Sequence, residues 1–178
     1  MRLVLFSLAL TGCSASRVTT TTAAPEVPSP AAVSTPRLDG IEAAIDLDGQ
    51  LVGPLRRGES ATVAIMFASW CGHCRTEMPV IATLRSRHPE LRVLGINYRA
   101  HEEYDGRGSA AAVRAFLAEE APWLRVVPAD EALWASLGAP PKIPTIYIFD
   151  REGAFVRAFD RRTDPIPSLA ELEAALPR

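Results

Sequence analysis

The sequence predicts an α/β fold built on a mixed β-sheet. Two apolar runs, residues 61–68 and 91–97, read as buried strands and enclose a segment with helical apolar spacing. A second strand-helix alternation follows through residues 124–127 and 131–137. The chain then closes with a strand, a glycine turn, a further strand and a helix, so a terminal hairpin joins strands that are otherwise linked through helices.

Each element has its own local signal. Asp46-Leu47-Asp48-Gly49-Gln50-Leu51-Val52 holds an Asp-Gly turn between apolar residues and predicts an N-terminal β-hairpin. Residues 61–68 are uninterruptedly apolar, as expected of a strand covered on both faces. A helix is predicted over 71–87, with Met78, Ile81 and Leu84 on one face; Pro79 lies inside it and should kink it. The next strand, 91–97, leads into a polar loop over 99–108. Ser109 caps a helix reaching residue 120, with Val113, Phe116 and Leu117 on one side. Asp130 caps the helix at 131–137, which Gly138 ends. A strand over 145–150 turns at Glu152-Gly153 into a strand over 154–159. Ser168 and Glu171 have capping-box spacing ahead of a C-terminal amphipathic helix.

The chain has 178 residues, 48% of them hydrophobic, and a formal net charge of -2. That size fits one folded domain with extensions. The near-balanced charge, with no dense basic run, argues against nucleic acid as a partner. The N-terminus reads as an export signal: Met1-Arg2 supplies one positive charge, and a short apolar run precedes Leu10-Thr11-Gly12-Cys13. The run is far below the roughly 20 apolar residues that span a bilayer. The tetrad resembles the lipobox of bacterial lipoproteins, in which the cysteine is lipidated and becomes the first mature residue. The alternative is an ordinary signal peptide with an incidental cysteine. Residues 1–12 are therefore assigned to a leader and Cys13 to a lipid anchor. Residues 13–36, rich in Thr, Pro and Ala, form a tether that cannot bury enough apolar surface to order itself. Residues 37–178 form the folded domain.

The most informative motif is Trp70-Cys71-Gly72-His73-Cys74, at the junction of the predicted strand and helix. A helix N-terminus favours negative charge and so favours the thiolate of Cys71, the form that attacks disulfides. Pro79 follows eight residues after Cys71, and Lys142-Ile143-Pro144-Thr145 stands directly before an apolar strand. Taken together, these features resemble the thioredoxin superfamily, and within it the membrane-tethered TlpA/ResA-like thiol-disulfide oxidoreductases. The long stretch from Val93 to Gly138 looks like the strand-helix insertion of that branch. The resemblance covers residue 37 to the C-terminus.

The resemblance implies a thioredoxin-like fold with a redox-active Cys71–Cys74 disulfide. Cys71 is then the attacking thiolate and Cys74 the residue that resolves the mixed disulfide. Pro144 is the cis-proline facing the disulfide, leaving the Ile143 backbone free to pair with substrate. Glu77, three positions after Cys74, matches an acidic residue near the active site of ResA-like proteins and is expected to relay protons to Cys74; the plain alternative is a solvated helix glutamate. Thioredoxin itself has a buried Asp six residues before its first cysteine, and this chain has Ile65 there. Trp70 is expected to shield the disulfide edge, or simply to pack.

His73 pulls the electron flow in a second direction. As an imidazolium or a donor it stabilises the Cys71 thiolate, which favours the dithiol and makes the disulfide a stronger oxidant. The same Gly-His dipeptide occurs in protein disulfide isomerase, poised near about -180 mV against about -270 mV for thioredoxin. The reading retained is a reductant of exported proteins, as in cytochrome c biogenesis, with the oxidase or isomerase reading as its rival. Partners are exported protein thiols and disulfides and a membrane thiol-disulfide donor, the chain itself being a monomer in the periplasm. No cofactor and no metal are implied, although Cys71, Cys74 and a histidine (His73, His88 or His101) leave a copper-handling alternative. His88 is expected to answer the helix C-terminus, His101 to be solvated in its charged loop, and Trp123 and Trp134 to sit in the core.

Overall fold

In the computed structural model, residues 35–55 and 60–178 are described. The leader, Cys13 and residues 14–34 of the tether lie outside them. The sheet is built around β1 (Thr62–Met66), whose residues are all buried. Val63 and Ile65, continued by Phe67, pack into one core layer with α2 (Gly72–Arg87), while Ala64 and Met66 face a second layer. The apolar run, with Thr62 its one polar residue, follows from this double burial, each fully buried Ile or Phe contributing about 1.5–3 kcal/mol.

The remaining strands are β2 (Arg92–Tyr98), β3 (Arg125–Ala129), β4 (Thr145–Phe149) and β5 (Phe155–Asp160). They assemble in the order β3-β2-β1-β4-β5. β1 pairs parallel with β2, and β2 with β3, whereas β4 runs antiparallel to both β1 and β5. This is the mixed sheet the sequence predicts. Pro128 is tolerated in β3 because β3 is an edge strand. In β2, Gly95 meets the Phe67 ring closely: a Cβ there would lie 2.9 Å from both Phe67 and Val126.

Helices cover both faces: α1 (Asp39–Glu42), α3 (Arg99–Glu102), α4 (Ala110–Glu120), α5 (Glu131–Ser136) and α6 (Leu169–Ala175) complete the set. The caps fall where local chemistry puts them. Ser109, Asp130 and Ser168 each accept a backbone N–H at their helix start, and Ser168 with Glu171 closes a full capping box. α2 runs on through the exposed Pro79, whose carbonyl oxygen takes the Thr83 hydroxyl at 2.8 Å. The stretch resembling an insertion, Val93 to Gly138, takes in most of β2 and carries α3, α4, β3 and α5.

Two expectations need correction, and one element was not anticipated. The N-terminal hairpin reduces to one antiparallel bridge, Ile45 to Leu51. Its turn is instead fixed by the Asp46 carboxylate, which accepts from Asp48 and Gln50 N–H and from Arg125 Nε at 2.6 Å. Burial pushes the Asp46 pKa up, but these bonds outweigh it and leave the pKa lowered. The polar loop over 99–108 contains α3 and a 3-10 turn, Tyr104–Gly106. α1, just after the predicted domain start, has no counterpart in the sequence reading, because a single turn carries too little periodicity to detect.

Candidate redox site around Cys71 and Cys74

β1 delivers the chain to the site through residues 67–70, and α2 begins immediately afterwards. Cys71 is the N-cap of α2, in extended conformation, and its Sγ accepts the Cys74 N–H at 3.1 Å. Sulfur here does the work of a capping Ser or Asp oxygen, so a helix-start donor points at the atom that would carry thiolate charge. Cys71 and Cys74 form a disulfide with their Cα atoms 5.2 Å apart. Cys74 is fully buried and Cys71, at 5% exposed, is the less deeply buried of the two. Gly72 and His73 are exposed on the first turn, and nothing lies within 4 Å of a Cβ placed at Gly72.

The antiparallel pairing of Met66 with Thr145 sets the residues before β4 beside the end of β1. There the Ile143–Pro144 peptide is cis and Pro144 is buried. Ile143 packs against both core layers, while Cys71, Cys74 and Trp70 belong to or pack on one of them.

Glu77 lies one turn beyond Cys74 on the inner face of α2 and is 0% exposed. Neither carboxyl oxygen has a hydrogen-bond partner. Burial without a partner disfavours the charged form and pushes the Glu77 pKa up to about 7. The alternative of a solvated helix glutamate is therefore excluded by its position.

A residue the sequence did not single out is bonded to the segment just before Cys71. Glu102, at the end of α3, is 2% exposed. Its carboxylate accepts the Ser69 N–H at 2.8 Å, the Ser69 hydroxyl, and Asn97 Nδ2 at 2.9 Å. Asn97 also donates to the Phe67 carbonyl oxygen at 3.2 Å. The Trp70 indole donates to the main-chain oxygens of Glu102 at 2.8 Å and His101 at 3.1 Å, and Arg107 lies 5.1 Å above its ring. Arg75 of α2 donates to the Ser69 carbonyl oxygen at 3.0 Å and pairs with Glu120 of α4. The signal that could have found Glu102 was Asn97, a polar residue ending an apolar strand, which needs a partner once buried.

The other aromatic and imidazole side chains separate by environment. His101 is half-buried rather than fully solvated: its ring meets Tyr98 edge-on at 5.0 Å, its Nδ1 is buried without a partner, and burial lowers its pKa. Trp134 is half-buried, stacked on Tyr98 at 5.0 Å, and Trp123 packs on the core edge under Arg85. His88 caps the end of α2 within 3.5 Å of Glu90 and Glu173. Among the described residues, no group of three or more His, Cys, Asp or Glu side chains could hold a metal ion, and no helix is long and apolar enough to cross a membrane.

This architecture, with a disulfide at the start of the helix after the central strand and a cis-proline before β4, is a thioredoxin-like fold. The crystal structure of a secreted Mycobacterium tuberculosis disulfide oxidoreductase homologous to E. coli DsbE matches with a TM-score of 0.61 and 17% identity, covering 77% of this chain and 96% of that one. A thiol:disulfide interchange protein of the thioredoxin family from Chlorobium tepidum matches at 0.62 and 18%, covering 83% and 96%. StoA from Bacillus subtilis matches at 0.56 and 15%, covering 82% and 98%. In sequence, the chloroplastic Thioredoxin-like 1-1 of Oryza sativa subsp. japonica is 37% identical over 67 residues. That match takes in 38% of this chain and only 23% of the rice protein. No family model matches the chain.

Proposed function

We propose that this chain is a thiol-disulfide oxidoreductase of the cell envelope that reduces disulfides in exported proteins. The observation that carries the reading is the Cys71–Cys74 disulfide at the N-terminus of α2 on a thioredoxin-like fold. The envelope part rests on the leader-like start and Cys13, with the secreted Mycobacterium protein as a structural parallel.

In the reduced enzyme, the Cys71 thiolate attacks one sulfur of a substrate disulfide. A Cys71–substrate bond forms and the other substrate sulfur leaves as a thiolate that takes up a proton. Cys74 loses its proton to Glu77 and attacks Cys71 Sγ, forming the Cys71–Cys74 bond and releasing the second substrate thiol. Two electrons pass from the dithiol to the substrate. A carboxyl titrating at about 7 is suited to taking that proton and returning it near neutrality. Pro144 and Ile143 line the groove for an extended substrate segment, and Trp70 borders the sulfurs. A dithiol protein at the membrane restores the reduced state, and Cys13 tethers the domain there.

A more oxidising role is favoured by one observation: His73 is exposed on the first turn of α2, where it can support the Cys71 thiolate. Two measurements decide between them. A Cys74→Ser variant in the native envelope should accumulate mixed disulfides through Cys71, and capture of nothing overturns the redox reading. Equilibration of Cys71/Cys74 with glutathione should give a potential below about -180 mV, and a higher value overturns the reductant role.

A further inference from the structure

Ser69 and Trp70 precede Cys71 directly, and both are tied to one end of α3. The Ser69 N–H and hydroxyl end on the Glu102 carboxylate, and the Trp70 indole ends on main-chain oxygens of Glu102 and His101. Gly108 lets the chain close over this anchor, because a Cβ there would meet Glu102 Oε1 and lie 2.5 Å from the Glu102 carbonyl oxygen. Glu102 and Ser69 are 2% and 4% exposed, so the contact is dry.

The charge is also within reach of Cys71 through the chain. Two residues of chain span at most about 7 Å, so an oxygen bonded to Ser69 N lies within about 10 Å of the Cys71 backbone. At an effective dielectric of about 20, two negative charges about 10 Å apart disfavour each other by on the order of one pH unit. Around the same loop lie His73, Arg75 and Glu77 of α2, Arg107 over Trp70, and His101 beside Glu102; a change confined to residue 102 leaves all five in place.

Resting on the redox reading above, we propose that Glu102 is a positioning residue for Cys71: it fixes the Ser69-Trp70 approach to the sulfur and, by its negative charge, restrains the Cys71 thiolate. Restraining the thiolate destabilises the dithiol relative to the disulfide and moves the couple towards electron donation. Glu102 would thus oppose His73 in its effect on the Cys71 thiolate.

The test is the pH profile of Cys71 alkylation by iodoacetamide in the full chain, with Cys74→Ser as background and modification read on the Cys71 peptide. Glu102→Gln should shift the profile down by about 0.5–1 pH unit, raising the rate below the midpoint by about 3–10-fold. Ser69→Ala, which keeps the carboxylate and the Ser69 N–H, should leave the midpoint in place. A folded Glu102→Gln protein with an unmoved profile overturns the proposal and leaves Glu102 a fold staple. If glutamine at 102 prevents folding, Glu102→Asp carries the test, since it draws the charge back by one methylene. A smaller downward shift is then expected, and an unmoved profile is again decisive against the proposal. Because iodoacetamide needs neither substrate nor electron donor, the profile can fail while mixed-disulfide capture succeeds, or the reverse, so the two readings are separable.

Discussion

Two buried glutamates belong to the segments around the disulfide, and they differ in what their oxygens touch. Glu77, one turn beyond Cys74, is wholly buried with both oxygens unpartnered. Glu102, at the end of α3, is almost as deeply buried but accepts from Ser69 twice and from Asn97. Burial alone therefore does not define a carboxyl's role. The unpartnered one is left with its proton held up to about pH 7 and is equipped to exchange it. The partnered one is committed to holding backbone, and its removal would strand donors. In the proposed mechanism the unpartnered carboxyl exchanges a proton, and the partnered one serves placement.

The largest effect should come from removing the partnered carboxylate. Glu102→Leu leaves the Ser69 N–H and Asn97 Nδ2 buried without their acceptor, at a cost of about 3–5 kcal/mol. Urea unfolding of the disulfide form measures it. A loss under about 1 kcal/mol would mean that water or rearrangement replaces the carboxylate, and the contrast between the two sites would collapse.

Glu77 gives the next effect, and its sign is opposite in kind. The folded state keeps the Glu77 proton up to about pH 7, whereas the ordinary value is 4.5. Between those values the folded protein binds the extra proton, so this group's contribution to stability is greatest below 4.5. It falls as pH rises through the window and is fully lost above about 7. The fall is on the order of 3 kcal/mol. Glu77→Gln should remove it, so the difference in unfolding free energy between wild type and variant should change across pH 4.5 to 7 and level off above. A difference that stays flat across the window would mean that Glu77 finds a partner in solution.

The two glutamates also mark what was legible in the sequence. Glu77 was readable because the family resemblance places an acidic residue three positions after the second cysteine, on the helix that carries Cys74. The caps at Ser109, Asp130 and Ser168 were readable because each is a contact within four residues. Glu102 bonds to Ser69 across 33 residues of chain, through a segment whose charges suggested a solvated loop. Nothing local distinguishes Glu102 from Glu103, which pairs with Arg99 at the surface. His101 was misread in the same way: its neighbours in sequence are charged, but its neighbours in space are Tyr98 and Trp134. The mixed character of the sheet was readable because helix-linked strands and a closing hairpin follow from the order of elements, whereas the side-chain anchor of the active-site loop depends on which of two adjacent glutamates α3 turns inward.

Gly108→Ala tests how tightly that anchor is enclosed. The added methyl has to displace Glu102 or its own backbone, and overpacking of this kind costs about 1–3 kcal/mol. The disturbance should reach the active-site loop, so Trp70 fluorescence in the folded variant should shift. An unchanged stability and spectrum would show that the 108 segment moves aside without disturbing Glu102.

The smallest effect belongs to Ser69→Ala, and it is the most discriminating for how Glu102 holds the loop. The hydroxyl contact is lost, but the main-chain N–H bond at 2.8 Å and the Asn97 bond at 2.9 Å remain on the other carboxylate oxygen. A single hydrogen bond to a charged group whose acceptor keeps other partners contributes about 1–2 kcal/mol. Combined with Glu102→Gln in a double-mutant cycle, the two changes should be non-additive, because both act on one network. Strict additivity would assign the hydroxyl and the carboxylate to separate tasks, and the main-chain bond alone would then be what ties Ser69 to α3.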